Sequence, residues 1–197
     1  MLKMPSGASR IARLIGIDPG TNTLGVAELS FDVETLQILN ITAVTLVAAK
    51  QTRDFWSNGI HGDRFGRINW LEDELTEIFH ISDPFQIAVE SPFFNRMRPN
   101  AFEPLIQIKF AIQRAVYRFT AWKQLYEIDP PTVKKSVGAK GNADKDTMKL
   151  AVIAYLELHG IPYTGPVPIN ELDEHSIDAI AVVIARFIQM LEELCLR

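Results

Sequence analysis

The spacing of apolar positions changes period at several sharp points along the chain. Residues 13–18, RLIGID, form a short, nearly continuous apolar run, the pattern of a central strand buried on both faces. Residues 24–31 and 36–47 are rich in Leu, Val, Ile and Thr, and turn-forming residues separate them from each other and from the first run. They predict strands that continue as an antiparallel meander. Over residues 61–79 the period becomes helical: Phe65, Ile68, Leu71, Leu75, Ile78 and Phe79 recur along one stripe, with charges between them. Ser82-Asp83-Pro84 ends that helix, and residues 86–90 read as another short apolar strand.

Residues 101–122 predict a long helix with Phe102, Leu105, Ile106, Phe110, Ile112 and Val116 as its apolar positions. Pro104 fits its first turn, where no backbone donor is lost. A strand over 125–129 is stopped by Pro130 and Pro131. A helix over 144–158 opens on acidic residues and closes at Gly160, as the helix dipole and the C-cap preference require. The last helix spans 174–194. Three strands, helix, strand, helix, strand, helix, helix is an α/β order, and one mixed sheet covered on both faces is its natural packing. Residues 1–10 read as a flexible tail and 11–197 as a single domain.

A chain of 197 residues buries a substantial core. No apolar run approaches the roughly 20 residues of a membrane helix, so no membrane partner is expected. The N-terminus, MLKMPSGASR, lacks the apolar segment of a secretory signal, and the single cysteine, Cys195, has no partner for a disulfide. Both fit a reducing, cytoplasmic setting. The net charge of −4 argues against a protein that coats nucleic acid by bulk electrostatics. The charge is, however, segregated. Lys134, Lys135, Lys140, Lys145 and Lys149 crowd one segment, while Glu171, Asp173, Glu174 and Asp178 crowd another that has no Lys or Arg. Such blocks are either two solvated patches or a basic contact surface beside an acidic pocket.

Three acids stand out by position. Asp18 closes the first strand, Glu90 closes the fourth in IAVESPFF, and Asp178 lies in a helix whose next residues are nearly all Ala, Val and Ile. An uncompensated carboxylate in such surroundings costs several kcal/mol, so each needs a partner. A shared divalent cation is the simplest one, and oxygen-only ligands favour Mg²⁺ or Mn²⁺ over zinc. His175, three residues before Asp178, shares its helical face; Glu174, four before it, competes for the same pocket.

Four ordered blocks, GIDPGTNTLGVAEL, IAVESPFF, PPTVKKSVGAKGNADKDTMKLAV and HSIDAIAVVIARF, together resemble the RuvC-type Holliday junction resolvases of the RNase H-like superfamily. The resemblance spans roughly residues 15–187. It implies a five-stranded mixed sheet (a three-strand antiparallel meander plus two parallel strands) with helices on both faces, acting as a homodimer on branched, four-way DNA. It implies metal ligands at Asp18, Glu90, His175 and Asp178, holding two Mg²⁺ or Mn²⁺ ions between them. Lys134 and Lys145 resemble the lysines that approach the scissile backbone, and Phe93 resembles the aromatic pressed against a base near the exchange point. Phe94, Arg96, Arg98, Lys135 and Lys140 are further candidates for DNA contact. Two departures fit a divergent, viral member: the stretch 31–62 is long for the family, as an insertion that changes the DNA footprint would be, and the glycines usual in the dimer-forming helix are not evident over 101–122.

The chemistry also stands without the family. Phosphodiester hydrolysis needs an activated water, stabilised phosphate charge and help for the leaving 3′ oxygen, and carboxylates holding two metals supply all three. Three rivals remain. An actin- or hexokinase-like ATPase shares the Asp-x-Gly-Thr loop, but that class needs two such domains around its nucleotide. A non-cutting scaffold for branched DNA predicts gaps in the acidic set. Another RNase H-like nuclease, acting on RNA–DNA hybrids or flaps, keeps the acids without the lysine segment and Phe93.

Overall fold

A computed structural model describes residues 10–92 and 102–195. The elements are β1 (Ile11–Asp18), β2 (Leu24–Asp32), β3 (Ile38–Leu46), α1 (Ala48–Gln51), α2 (Asn58–His61), α3 (Asp63–Ser82), β4 (Gln86–Glu90), α4 (Phe102–Phe119), β5 (Leu125–Ile128), α5 (Pro130–Ser136), α6 (Lys145–Leu158) and α7 (Glu174–Cys195). The five strands form one sheet in the order β3-β2-β1-β4-β5. β1, β2 and β3 pair antiparallel, whereas β4 runs parallel to β1 and β5 parallel to β4. This is the expected mixed sheet: a meander extended by two parallel strands.

The period-2 alternation of the strands divides the core into two layers. Leu14, Ala27, Leu29, Ile41, Ala43 and Ala88 point to the face covered by α5, α6 and α7. Ile15, Ile17, Leu24, Val26, Ile87 and Val89 point to the face covered by α3 and α4. β1 is therefore central and buried on both sides, as its unbroken apolar run requires. α7 is buried at every position over residues 179–187. It sits close against the sheet because Gly16 and Gly25 carry no side chain. A Cβ at Gly16 would fall within 2.6 Å of the Ala179 carbonyl oxygen, and one at Gly25 would overlap the His175 carbonyl. Gly16 in β1 and Gly25 in β2 therefore make room for the helix.

α7 also buries a charge. Arg186 is 1% exposed; its guanidinium lies 3.7 Å from the Tyr126 ring centroid and donates to Gln86 (2.8 Å) and to both Glu193 oxygens (2.8 and 3.0 Å). That compensation ties the helix to the fourth and fifth strands.

Several sequence expectations are corrected. The helix expected from residue 61 starts at Asp63, because Gly62, at φ 84°, separates α3 from the short α2. The third strand starts at Ile38, since Leu36 adopts a left-handed turn conformation at φ 57°. Pro130 and Pro131 end β5 but also open α5, where a proline in the first turn removes no needed donor. Asp129 caps that helix by accepting from the Thr132 amide at 3.0 Å. The helix expected to reach residue 122 ends at Phe119. Phe65 and Phe110, expected in the core, are 49% and 56% exposed, because α3 and α4 turn these positions away from the sheet. The only residues that α6 shifts are at its start: Asp144 is the cap outside the helix, accepting from the Thr147 amide.

Candidate active site

Parallel pairing aligns the carboxyl ends of β1 and β4, so Asp18 and Glu90 emerge at one sheet edge. The start of α7 is held at the same edge. Asp173 accepts from the Ser176 amide (2.9 Å) and from the Thr45 hydroxyl at the end of β3 (2.7 Å), and Thr45 also bonds the Ser176 hydroxyl (2.7 Å). His175 and Asp178, three residues apart on that first turn and a half, therefore face the strand ends.

His175 joins the elements directly. Its Nδ1 hydrogen bonds to Asp18 Oδ2 at 2.7 Å, and its Nε2 shares a hydrogen bond with the Thr23 hydroxyl at 2.6 Å. With a carboxylate as the Nδ1 acceptor, that nitrogen carries the proton. The hydrogen bond to Asp18, opposed by partial burial and helped by the charge of Asp18, raises the imidazole pKa above its ordinary value.

The other two acids show how closely negative charge converges. Burial, followed by the charges of Asp18 and Asp178, pushes the Glu90 carboxyl up to about 8. Burial and the charge of Asp18 push Asp178 up to about 7. In both cases Lys134 of α5 opposes the rise, so one cation serves both carboxyls. The Lys134 ammonium is itself fixed by donating to the Ala143 carbonyl at 2.7 Å. Asp18, Glu90, His175, Asp178 and Lys134 are thus brought into one electrostatic neighbourhood.

Lys145 takes a neighbouring place. It pairs with Glu174, whose other oxygen lies 3.8 Å from His175 Nε2, and Lys149 donates to the Leu172 carbonyl at 2.8 Å. A cleft of about 610 Å³ runs here, lined by Thr23, Lys145, Lys149, Glu174, His175 and Asp178 among others. Lys145 and Lys149 of the basic segment and Asp173, Glu174 and Asp178 of the acidic one therefore line one cleft. Lys135 and Lys140 are exposed and do not line it. Phe93, Phe94, Arg96 and Arg98 lie outside the described residues.

Thr23 and Asp173 escaped the sequence reading. Thr23 sits in a Thr-Asn-Thr turn whose composition signals only a loop, and its contact with His175 spans 152 positions. Asp173 belonged to the acidic block, but nothing in its spacing marks it as the residue that anchors α7.

Among the described residues, no three His, Cys, Asp or Glu side chains already stand in a metal-chelating group. The donor chemistry nevertheless fits a divalent cation. Two carboxyls that keep protons near neutrality through burial and a third carboxylate's charge are groups whose protons a cation would replace.

Acids from the first strand, the fourth strand and the last helix, meeting at one edge of a sheet ordered β3-β2-β1-β4-β5, define an RNase H-like nuclease fold. The chain belongs to the RuvC family: the family model described as crossover junction endodeoxyribonuclease RuvC matches residues 14–186. The chain is 28% identical over 152 residues to a protein of that name from Dictyoglomus thermophilum, covering 76% of this chain and 85% of that one. It is 30% identical over 149 residues to the one from Rubrobacter xylanophilus, covering 76% and 75%. The structure of Thermus thermophilus RuvC in complex with a Holliday junction substrate matches with a TM-score of 0.63 at 20% identity, over 92% of this chain and 96% of that one. Among the described residues no helix is long and apolar enough to cross a membrane.

Proposed function

We propose that this protein is a metal-dependent endonuclease that cuts phosphodiester bonds at four-way DNA junctions as a homodimer, in the cytoplasm where its DNA lies. The observation that carries this reading is the mutual influence of Asp18, Glu90 and Asp178, three acids from three elements that Lys134 and His175 partly offset. Asp18, Glu90 and Asp178 would hold two Mg²⁺ or Mn²⁺ ions, while His175, expected as a fourth ligand, has both ring nitrogens engaged by Asp18 and Thr23 and would stand beside them. Held there, such ions would supply an activated water and charge stabilisation for the phosphate and the leaving 3′ oxygen.

The chain's own residues supply the rest. Asp18 orients His175, and Thr23 fixes the second imidazole nitrogen, so the ring cannot turn away from the acids. Lys134 and Lys145 neutralise phosphates beside the cut, where Lys145 exchanges its contact with Glu174 for one with DNA. A four-way junction has two equivalent strands to cut, and a two-fold dimer presents two equivalent sites. Exposed Phe65 and Phe110, which line a cleft between α3 and α4, support self-association on that side. A labelled junction incubated with the protein and Mg²⁺ should give nicks with 5′-phosphate and 3′-hydroxyl ends that a ligase seals. Ends that carry a 3′-phosphate would contradict the proposed bond cleavage.

Thr23→Val keeps the side-chain shape but removes the hydroxyl. Single-turnover cleavage should fall about tenfold, the loss of roughly one hydrogen bond, while junction affinity holds. Thr23→Ser should restore most of the rate, and a valine variant cutting at the wild-type rate would remove Thr23 from the site.

The metal proposal also fixes the sign of a pH effect. Glu90 and Asp178 keep protons in the fold up to about 8 and about 7, but release them at their ordinary, lower values when unfolded. Over that interval the folded state binds more protons, so metal-free stability falls as pH rises. In EDTA the Tm should drop between about pH 5 and pH 8, and Mg²⁺ should raise it more at the higher pH. Thermal unfolding monitored by circular dichroism measures both; a Mg²⁺ effect that is absent, or larger at low pH, would contradict the ligand assignment.

A further inference from the structure

Residues 47–62 connect β3 to α3. Two successive antiparallel pairings make β3 parallel in direction to β1, so this segment leaves the sheet at the edge that carries Asp18 and Glu90. It is anchored on the catalytic loop and on itself. The Ala49 amide donates to the Asn22 carbonyl at 3.2 Å, and the buried Thr52 hydroxyl donates to Ala48 at 3.0 Å. Asn58 Nδ2 donates to the Thr52 carbonyl at 2.7 Å. Next to it, Arg67 of α3 donates to the Thr21 carbonyl at 3.2 Å.

From this fixed base the segment raises large apolar side chains into solvent. Phe55, Trp56 and Ile60 are 41%, 81% and 68% exposed. Folding of the monomer gives no reason to present them, and clustered exposed apolar groups mark a contact surface. Lys50 and Arg53 are exposed in the same segment, where Asp54 is the one carboxylate.

We propose that residues 47–62 form a second DNA-contact element, in which Trp56 stacks on an unpaired base at the branch point and Lys50 and Arg53 meet the adjoining phosphates. The inference rests on the proposed action on four-way junctions and names a specificity determinant for it. An indole ring stacks on any base, so the contact needs no sequence. A branch offers bases that can leave the stack, whereas an intact duplex keeps them paired. Trp56 therefore favours branched over linear DNA, and the two cations and the anchorage on the catalytic loop make a nucleobase its partner in preference to a second copy of this chain.

The test uses the full chain in EDTA, with a four-way junction carrying 2-aminopurine at the branch and a linear duplex of matching sequence. Trp56→Ala should weaken junction binding about tenfold, abolish its change in 2-aminopurine fluorescence and leave duplex binding unaltered, and Trp56→Phe should recover most of the loss. The double variant Lys50→Ala, Arg53→Ala should reduce the slope of log K against log salt by about 2. Sedimentation should show the same oligomer for wild type and Trp56→Ala. Unaltered junction affinity and fluorescence in Trp56→Ala would overturn the inference, as would loss of the oligomer, which would make the patch an interface between copies. Wild-type protein that binds junction and duplex alike would instead overturn the proposed function.

Discussion

Asp18→Asn protein binds a four-way junction as tightly as the wild type and leaves it uncut. Asp18 stands at the end of the central strand, hydrogen bonds His175 and contributes the charge that lifts both Glu90 and Asp178. Asparagine keeps the size of the side chain but removes that charge, so the cation site loses the acid common to the other ligands. A single-turnover rate at least about 10³-fold lower is expected, equivalent to roughly 4 kcal/mol of lost transition-state stabilisation. The fold should not suffer. Removing the charge that helps keep protons on Glu90 and Asp178 relieves the metal-free site, and weakening the hydrogen bond to His175 offsets that gain, so the Tm in EDTA should stay about level. Gel-shift and cleavage assays on the same preparation separate the two effects. Cleavage at the wild-type rate would remove Asp18 from the centre of the site.

The second large effect comes from a residue with no chemistry of its own. Gly25→Ala places a methyl group against the His175 carbonyl and 3.2 Å from Ala179 Cβ. Backbone cannot yield as a flexible side-chain tip can, so the start of α7 must move away from the sheet. Overpacking of this kind costs about 3 kcal/mol, a Tm drop of about 6–12 °C for a chain of this size. Because α7 carries both His175 and Asp178, cleavage measured well below the Tm should fall further than junction binding. A variant with wild-type Tm and cleavage would show that the close approach of helix and strand does not set the site's geometry.

These cases show what the sequence reveals and what it hides. The apolar run of β1 and the alternation of β2 and β3 made the sheet legible, because burial on one or two faces leaves a direct imprint on residue order. Asp18, Glu90 and Asp178 were legible for the opposite reason: acids at the ends of apolar elements contradict their surroundings. Thr23 was not, since a hydroxyl in a turn has many uses and its partner is remote in sequence. Nor was the role of Gly25, since only the packing of α7 shows that it clears space for the helix. α5 was hidden by Pro130 and Pro131, which read as a stop although proline is equally at home in a helix's first turn. The exposed faces of Phe65 and Phe110 could not be read from helical spacing, which says that residues share a stripe but not what covers it. Nor could the connection at 47–62 be resolved, because its short helices carry too few turns for a period.

The most direct measurement of the central claim is the initial cutting rate on a labelled four-way junction, a flap, a linear duplex and an RNA–DNA hybrid, each with Mg²⁺ and with EDTA. Rapid cutting of the four-way junction is expected in Mg²⁺, with much slower cutting of the duplex and hybrid and none of any substrate in EDTA. Equal rates on junction and duplex, faster cutting of the hybrid, or cutting that survives EDTA would contradict the claim.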